Sequence, residues 1–247
     1  MSVIYGFKII VEGDYACFTR PEMKVERVSY DVPTPSALEG MLKSVYWKPA
    51  IRYVIDRIIV FHPINFINVR RNEVKDKLPL SNVVGQMNNS EKETKDISIY
   101  ADGSRNQRAA LLLKNVKYGI EFHFELTGNC SNNEDECEEK HYCIIKRRLT
   151  NGQWFRKPCL GCSEFPASKI ELVDAFSMDE ISPELIKLGD MDLGYMLYGL
   201  KFEDKGKPIN GNWDAPKFSD KADAVFYRPH MINGVIDVRK YAEDMLC

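Results

Sequence analysis

Between Val116 and Leu126 apolar and polar side chains alternate. Val116, Tyr118, Ile120, Phe122, Phe124 and Leu126 fall on one side, and Lys117, Glu121, His123 and Glu125 on the other. That period of two predicts a strand with one buried and one wet face. Similar patterns predict strands over residues 3–12, ended by Gly13-Asp14, and over 51–61 and 64–69. Helical periodicity appears first after Thr34. Leu38, Met41, Leu42 and Val45 recur at i, i+3, i+4 and i+7, Thr34 can cap, and Pro35 suits the first helical position. Tyr46 lies beside that stripe, and the helix is expected to stop near Trp47-Lys48-Pro49.

Residues 18–30 lack helical spacing and read as a long loop carrying Arg20, Lys24 and Arg27. From Arg70 to Arg108 the chain turns polar, and a long mobile arm in the form of a β-hairpin is expected. A second helix is predicted from an Asn133/Glu136 capping box to Asn151-Gly152. Its acids gather in the first turns, and Lys146, Arg147 and Arg148 in the last, as the helix dipole favours. Extended segments follow up to Val173. The order strand, helix, strand, strand, arm plus strand, helix, strand predicts an α+β fold of the split βαβ, or ferredoxin-like, kind, with helices on one face of an antiparallel sheet. This domain is placed at residues 1–174. Residues 175–247 are expected to form a small antiparallel β domain. Its strands fall near 193–202 and 224–227, with a hairpin at Asn233-Gly234 and a short helix near Val238–Met245.

Composition narrows the function classes. The chain has 247 residues, 44% hydrophobic and 28% charged, as ordinary globular proteins do. No run of about 18 apolar residues suggests a membrane helix. Met1 to Lys8 reads as a strand rather than a secretory leader, so a cytoplasmic location is expected. The odd count of seven cysteines fits reduced thiols. With a net charge of −2, a nucleic-acid partner would need a local basic patch.

The densest chemistry is Glu139-Lys140-His141 on the second helix. Cys137, His141, Ile144 and Ile145 share one side, so His141 points toward the sheet or a crevice at its edge. It is either a core histidine satisfied by a hydrogen bond or a catalytic group. Lys140, about 100° further round, is either solvated or catalytic. Tyrosine, lysine and histidine around one phosphodiester can move the protons and neutralise the phosphorane without a metal. Tyr46, on the companion helix, is the natural third member, though it could equally be a packing tyrosine. No clustered carboxylates suggest a two-metal nuclease. Cys159-x-x-Cys162 competes as a zinc site, with Cys130, Cys137, Cys143 or His141 as further ligands, but its spacing matches no familiar pattern. Gly161 could let the backbone approach a phosphate. Arg20, Lys24, Arg27, Arg105, Arg108, Lys146, Arg147 and Arg148 could form an RNA track, with Phe18 and Tyr30 stacking bases.

Several segments together resemble a CRISPR-associated family. They are Phe18 to Tyr30, Val32-Pro33-Thr34-Pro35-Ser36-Ala37, Tyr46-Trp47-Lys48-Pro49, Glu139-Lys140-His141 with Lys146-Arg147-Arg148, and Leu160-Gly161-Cys162-Ser163-Glu164-Phe165. The family is the Cas-five subtype d subunit of type I-C systems, and the resemblance spans nearly the whole chain. It implies a ferredoxin-like domain followed by a small β domain. It also implies an endoribonuclease that cuts precursor CRISPR RNA within the repeat without metal or cofactor. The family then stays on the 5′ handle beside the backbone and large subunits of the interference complex. Tyr46, Lys140 and His141 are the catalytic residues so implied. Whether duplex DNA is a further partner is left open. From another class comes a non-catalytic subunit that caps the 5′ end, which would need the basic track but none of those three residues.

Overall fold

The structure is a computed structural model, and it describes residues 6–23, 25–88, 98–100, 103–129, 137–204, 206–212 and 215–241. The chain is a mixed helix and sheet fold whose sheets are antiparallel. Its elements are β1 (Gly6–Ala16), β2 (Arg27–Val28), α1 (Pro35–Val45), β3 (Ile51–Val60), β4 (Phe66–Val74), α2 (Leu80–Met87), β5 (Arg105–Leu126), α3 (Glu138–Thr150), β6 (Lys169–Leu172), α4 (Pro183–Leu188), β7 (Asp190–Asp192), β8 (Met196–Phe202), β9 (Ala222–Tyr227), β10 (His230–Ile232) and β11 (Val235–Asp237). Among the described residues the main sheet runs β6-β1-β5-β3-β11-β10-β7, with β2 and β4 also pairing with β5. Strands β8 and β9 form a separate two-stranded sheet.

Local chemistry explains the elements that position the site. Thr34 caps α1 by accepting from the Ala37 amide, and Pro35 occupies the first turn, where a missing N–H is harmless. Leu38, Met41, Leu42 and Val45 are all buried. The helix ends at Val45, just short of the expected stop near Trp47-Lys48-Pro49. Tyr46 is the C-cap, with extended φ −153° and ψ 131°. It is therefore held by backbone geometry outside the helical wheel, and its carbonyl accepts a hydrogen bond from the buried Tyr53 hydroxyl at 2.8 Å. In α3 the buried stripe is His141, Ile145 and Leu149. The expected Asn133/Glu136 capping box lies outside the described residues. Asn151 ends α3, and Gly152, at φ +61°, lets the Gln153 amide turn back to the Arg148 carbonyl.

Both helices pack on one side of the sheet. Phe7 of β1 stacks on Tyr142 of α3 and on Phe122 of β5, and α1 touches β3 and α3. The other side of β5 is wet, as its alternation predicts. There Glu121 pairs with Arg57, Glu125 with Arg52, and His123 with Asp56. The hydrogen bond that its Nδ1 makes to the Asp56 carboxylate holds the His123 imidazole above its ordinary pKa.

Residues 18–23 and 25–30 are more ordered than their sequence suggests. Thr19 bridges Ser29, the Tyr30 amide donates to the Phe18 carbonyl, and the Arg20 amide donates to Val28. The two ends of the segment pair antiparallel, and this pairing carries Phe18 and Tyr30 into the core at 2% and 1% exposure. Neither ring is open to a base.

After β6, strands β7, β10 and β11 extend the main sheet through β3. Asn233 and Gly234 take φ of +50° and +81° and turn β10 into β11, the geometry that an Asn-Gly pair favours. Residues 68–110 form a compact unit of their own, distinct from 6–67 with 111–241. Within it Lys75 and Ser104 pair through their backbones, and Glu73 pairs with Arg71 and Arg108. Helix α2 in this segment has no buried residue, which explains why no burial pattern announces it.

Candidate nucleic-acid interface and catalytic centre

The end of α1 and the first turn of α3 meet at two side chains. The Tyr46 hydroxyl and His141 Nδ1 lie 2.9 Å apart in a hydrogen bond that joins residues 95 positions apart. His141 has no exposed surface and Tyr46 is 5% exposed. The edge of Phe124 packs on the imidazole, with ring centres 6.2 Å apart. Arg148, two turns along α3, sets its guanidinium 5.3 Å from the Tyr46 ring centre and donates to the Val45 carbonyl. A partly buried cation and a fully buried imidazole thus flank one phenol. Behind it, burial pushes the Tyr53 phenol far above its ordinary pKa, so it stays protonated as a donor to the Tyr46 carbonyl. Lys140, next to His141 in sequence, is half-buried on the adjoining face of α3.

The remaining candidate cations are distributed unevenly. Lys146 sits 5.7 Å over the Tyr142 ring and helps line a cavity of about 340 Å³ with Phe7, Lys8 and Glu121. Arg147 is exposed. Arg20 is engaged locally, 4.5 Å over the Tyr30 ring and 3.3 Å from Asp31. Arg27 pairs with Glu164 at 2.7 Å. Arg105 and Arg108 belong to the 68–110 unit, and Lys24 lies outside the described residues.

Gly161 does bring two backbones together, but the partner is protein. It bridges Cys17, and a Cβ placed on it would lie 1.9 Å from the Cys17 carbonyl oxygen. A phosphate therefore has no place there. Cys159 and Cys162 are half-buried, and burial raises the Cys159 thiol above its ordinary pKa. Among the described residues no three His, Cys, Asp or Glu side chains group to hold a metal ion.

Sequence reasoning passed over the loop after α3. Trp154, Phe155, Arg156 and Lys157 are all exposed, Phe155 at 89%. The amides of Phe155 and Arg156 both donate to the Ser44 carbonyl, which fastens the loop two residues from Tyr46. The available signal was aromatic residues followed directly by cations just past a helix stop.

Residues 7–239 match the Cas5d model, described as CRISPR-associated protein (Cas_Cas5). The chain belongs to this family. Over 241 residues it is 43% identical to a CRISPR pre-crRNA endoribonuclease Cas5d of Mannheimia succiniciproducens, covering 96% of this chain and 97% of that one. It is 36% identical to the protein of the same name from Thermus thermophilus over 206 residues, covering 81% and 76%. Among solved structures, the fold is similar to that of a functionally uncharacterized protein, SMU1763c, from Streptococcus mutans. That match has a TM-score of 0.59 at 23% identity and covers 94% of this chain and 91% of that one. A crystal structure described as a CRISPR-associated protein matches with a TM-score of 0.56 at 23% identity, covering 96% and 94%. These structural matches are evidence for the fold, and the sequence matches for the family.

Proposed function

We propose that this chain is an endoribonuclease that cleaves precursor CRISPR RNA within its repeat. Tyr46, Lys140 and His141 form its cleavage centre, and no metal takes part. The two relatives named as pre-crRNA endoribonucleases support the activity. The observation that carries the site assignment is the 2.9 Å contact between Tyr46 and His141. The sheet path β6-β1-β5-β3, with α1 and α3 on one side, supports a ferredoxin-like core. Through the family, the chain holds the 5′ handle afterwards as a subunit of the interference complex, beside its backbone and large subunits.

In this mechanism the RNA 2′-oxygen bonds to the adjacent phosphorus while the bond from phosphorus to the 5′-oxygen breaks. The 2′-proton goes to the Tyr46–His141 pair, and a proton from the pair reaches the leaving 5′-oxygen. The products are a 2′,3′-cyclic phosphate and a 5′-hydroxyl. Tyr46 is the slightly less enclosed member of the pair, and in this mechanism its hydroxyl meets the RNA while His141 exchanges protons behind it. Lys140 contributes positive charge to the phosphorane.

One observation favours a second reading, a subunit that only caps the 5′ end. A fully buried histidine bonded to a tyrosine is also what a structural core pair looks like. Incubating the purified chain with repeat RNA in EDTA separates the two. Cleavage to cyclic-phosphate ends, lost in Lys140→Ala and His141→Ala while repeat binding persists, is expected. Binding without any cleavage by the wild-type chain would leave the capping role. Full cleavage by Lys140→Ala would remove that lysine from the centre.

A further inference from the structure

Attack by a 2′-oxygen on its own phosphate needs that oxygen in line with the leaving 5′-oxygen. Stacked A-form nucleotides do not present that alignment, so the nucleotides around the cut must be unstacked. An enzyme that binds them this way has to replace the lost stacking with surfaces of its own. Around Tyr46 the chain exposes three large aromatic side chains. Trp47 follows it directly and is half-exposed. Trp154 and Phe155 sit on the loop after α3, whose Phe155 and Arg156 amides both donate to the Ser44 carbonyl at 3.0 and 3.1 Å. That double hydrogen bond gives the loop a fixed place beside the end of α1. Phe155, 89% exposed, contributes almost nothing to the core. Trp154 lies over Gly152, whose positive φ turns the chain out of α3.

Single exposed apolar residues are ordinary, but a group of aromatics beside a catalytic pair is not. Their neighbours select the ligand class. Lys48 follows Trp47, Arg156 and Lys157 follow Phe155, and Arg147 precedes the loop, all of them exposed. Aromatic faces interleaved with cations match unpaired nucleic acid, whose bases stack while its phosphates attract positive charge. A protein-docking face would instead be depleted of lysine at its centre.

We propose that Trp47, Trp154 and Phe155 form a stacking platform for the unpaired RNA nucleotides that flank the cleaved phosphate. The inference rests on the endoribonuclease reading for its location, but it concerns binding and is testable without cleavage. The test uses repeat RNA with a 2′-deoxy residue at the cut, which binds but cannot react. An iodinated uridine is placed on either side of the cut in turn. With the wild-type chain, ultraviolet crosslinks are expected on the peptide holding Trp154 and Phe155 or on Trp47. Phe155→Ala and Trp154→Ala should each weaken binding by about 5- to 150-fold, the range for losing one stacked base. Phe155→Tyr and Trp154→Phe should restore it. Phe155 is nearly all exposed, so its alanine variant should melt like the wild type and keep the result free of folding defects.

Alanine variants that bind RNA at wild-type affinity would overturn the proposal, as would crosslinks mapping elsewhere. Normal RNA binding with loss of association to other complex subunits would make the patch a protein interface and overturn it too. Failure of the nuclease reading looks different: ordinary RNA would stay uncut while the platform variants still lost affinity.

Discussion

Replacing Tyr46 by phenylalanine deletes one oxygen and keeps the ring that Arg148 and His141 pack against. Its first effect is on stability. The hydroxyl is buried and bonded to His141 at 2.9 Å, and losing such a bond costs about 1–3 kcal/mol. For a chain of this size that lowers the melting temperature by about 2–12 °C. Its second effect is on cleavage. If the pair moves protons in the transition state, removing one member costs about 100- to 10,000-fold in single-turnover rate. The two effects separate experimentally, because the rate is measured well below the melting temperature of both proteins, with saturating protein over repeat RNA in EDTA. A core pair predicts the lower melting temperature with an unchanged rate, and a catalytic pair predicts both losses. His141→Ala and the double variant complete a cycle, whose rate losses should fall far short of additive if the two residues act as a unit. Wild-type cleavage by Tyr46→Phe would refute the proton-transfer reasoning.

Three further outcomes follow from the geometry. Gly161→Ala has to move the Cys17 backbone and place a side chain at φ +83°, so it should melt well below the wild type or fail to accumulate as folded protein. Gly40→Ala lies in α1 with open space where the new carbon goes, so it should gain about 1 kcal/mol, seen as a melting temperature higher by about 2–4 °C. His123 has its pKa raised by the hydrogen bond it donates to Asp56, so its contribution is fully present below the unfolded histidine value of about 6.5 and is lost as pH rises through the higher folded value. The stability difference between wild type and His123→Gln should therefore shrink as pH rises through that window in melting curves, and a pH-independent difference would contradict it.

Much of this was written locally. Thr34-Pro35 starts α1, and the Leu38, Met41, Leu42, Val45 stripe is the one buried, because capping and helical period act within a few residues. The alternation of β5 and the Asn233-Gly234 turn are legible for the same reason. Helices α2 and α4 were missed. The first buries nothing, and the second is only Pro183–Leu188, too short for a period to show, although Ser182 and Pro183 start it. Phe18 and Tyr30 were misjudged because their segment's backbone pairing, and not its composition, sends those rings inward.

The amino-acid sequence by itself determined which residues can carry the chemistry and, through its family resemblance, which of them to suspect. It could not decide that Tyr46 and His141 touch, since they stand 95 residues apart and meet only where α1 and α3 pack on one sheet face. Nor could it show that Tyr46 leaves the helix as an extended cap, or that His141 is wholly enclosed while Trp154 and Phe155 stand in solvent. Burial and contact are sums over the whole packed chain. A short stretch of sequence holds the residues' identities, and the remaining elements decide which of them face water and which face each other.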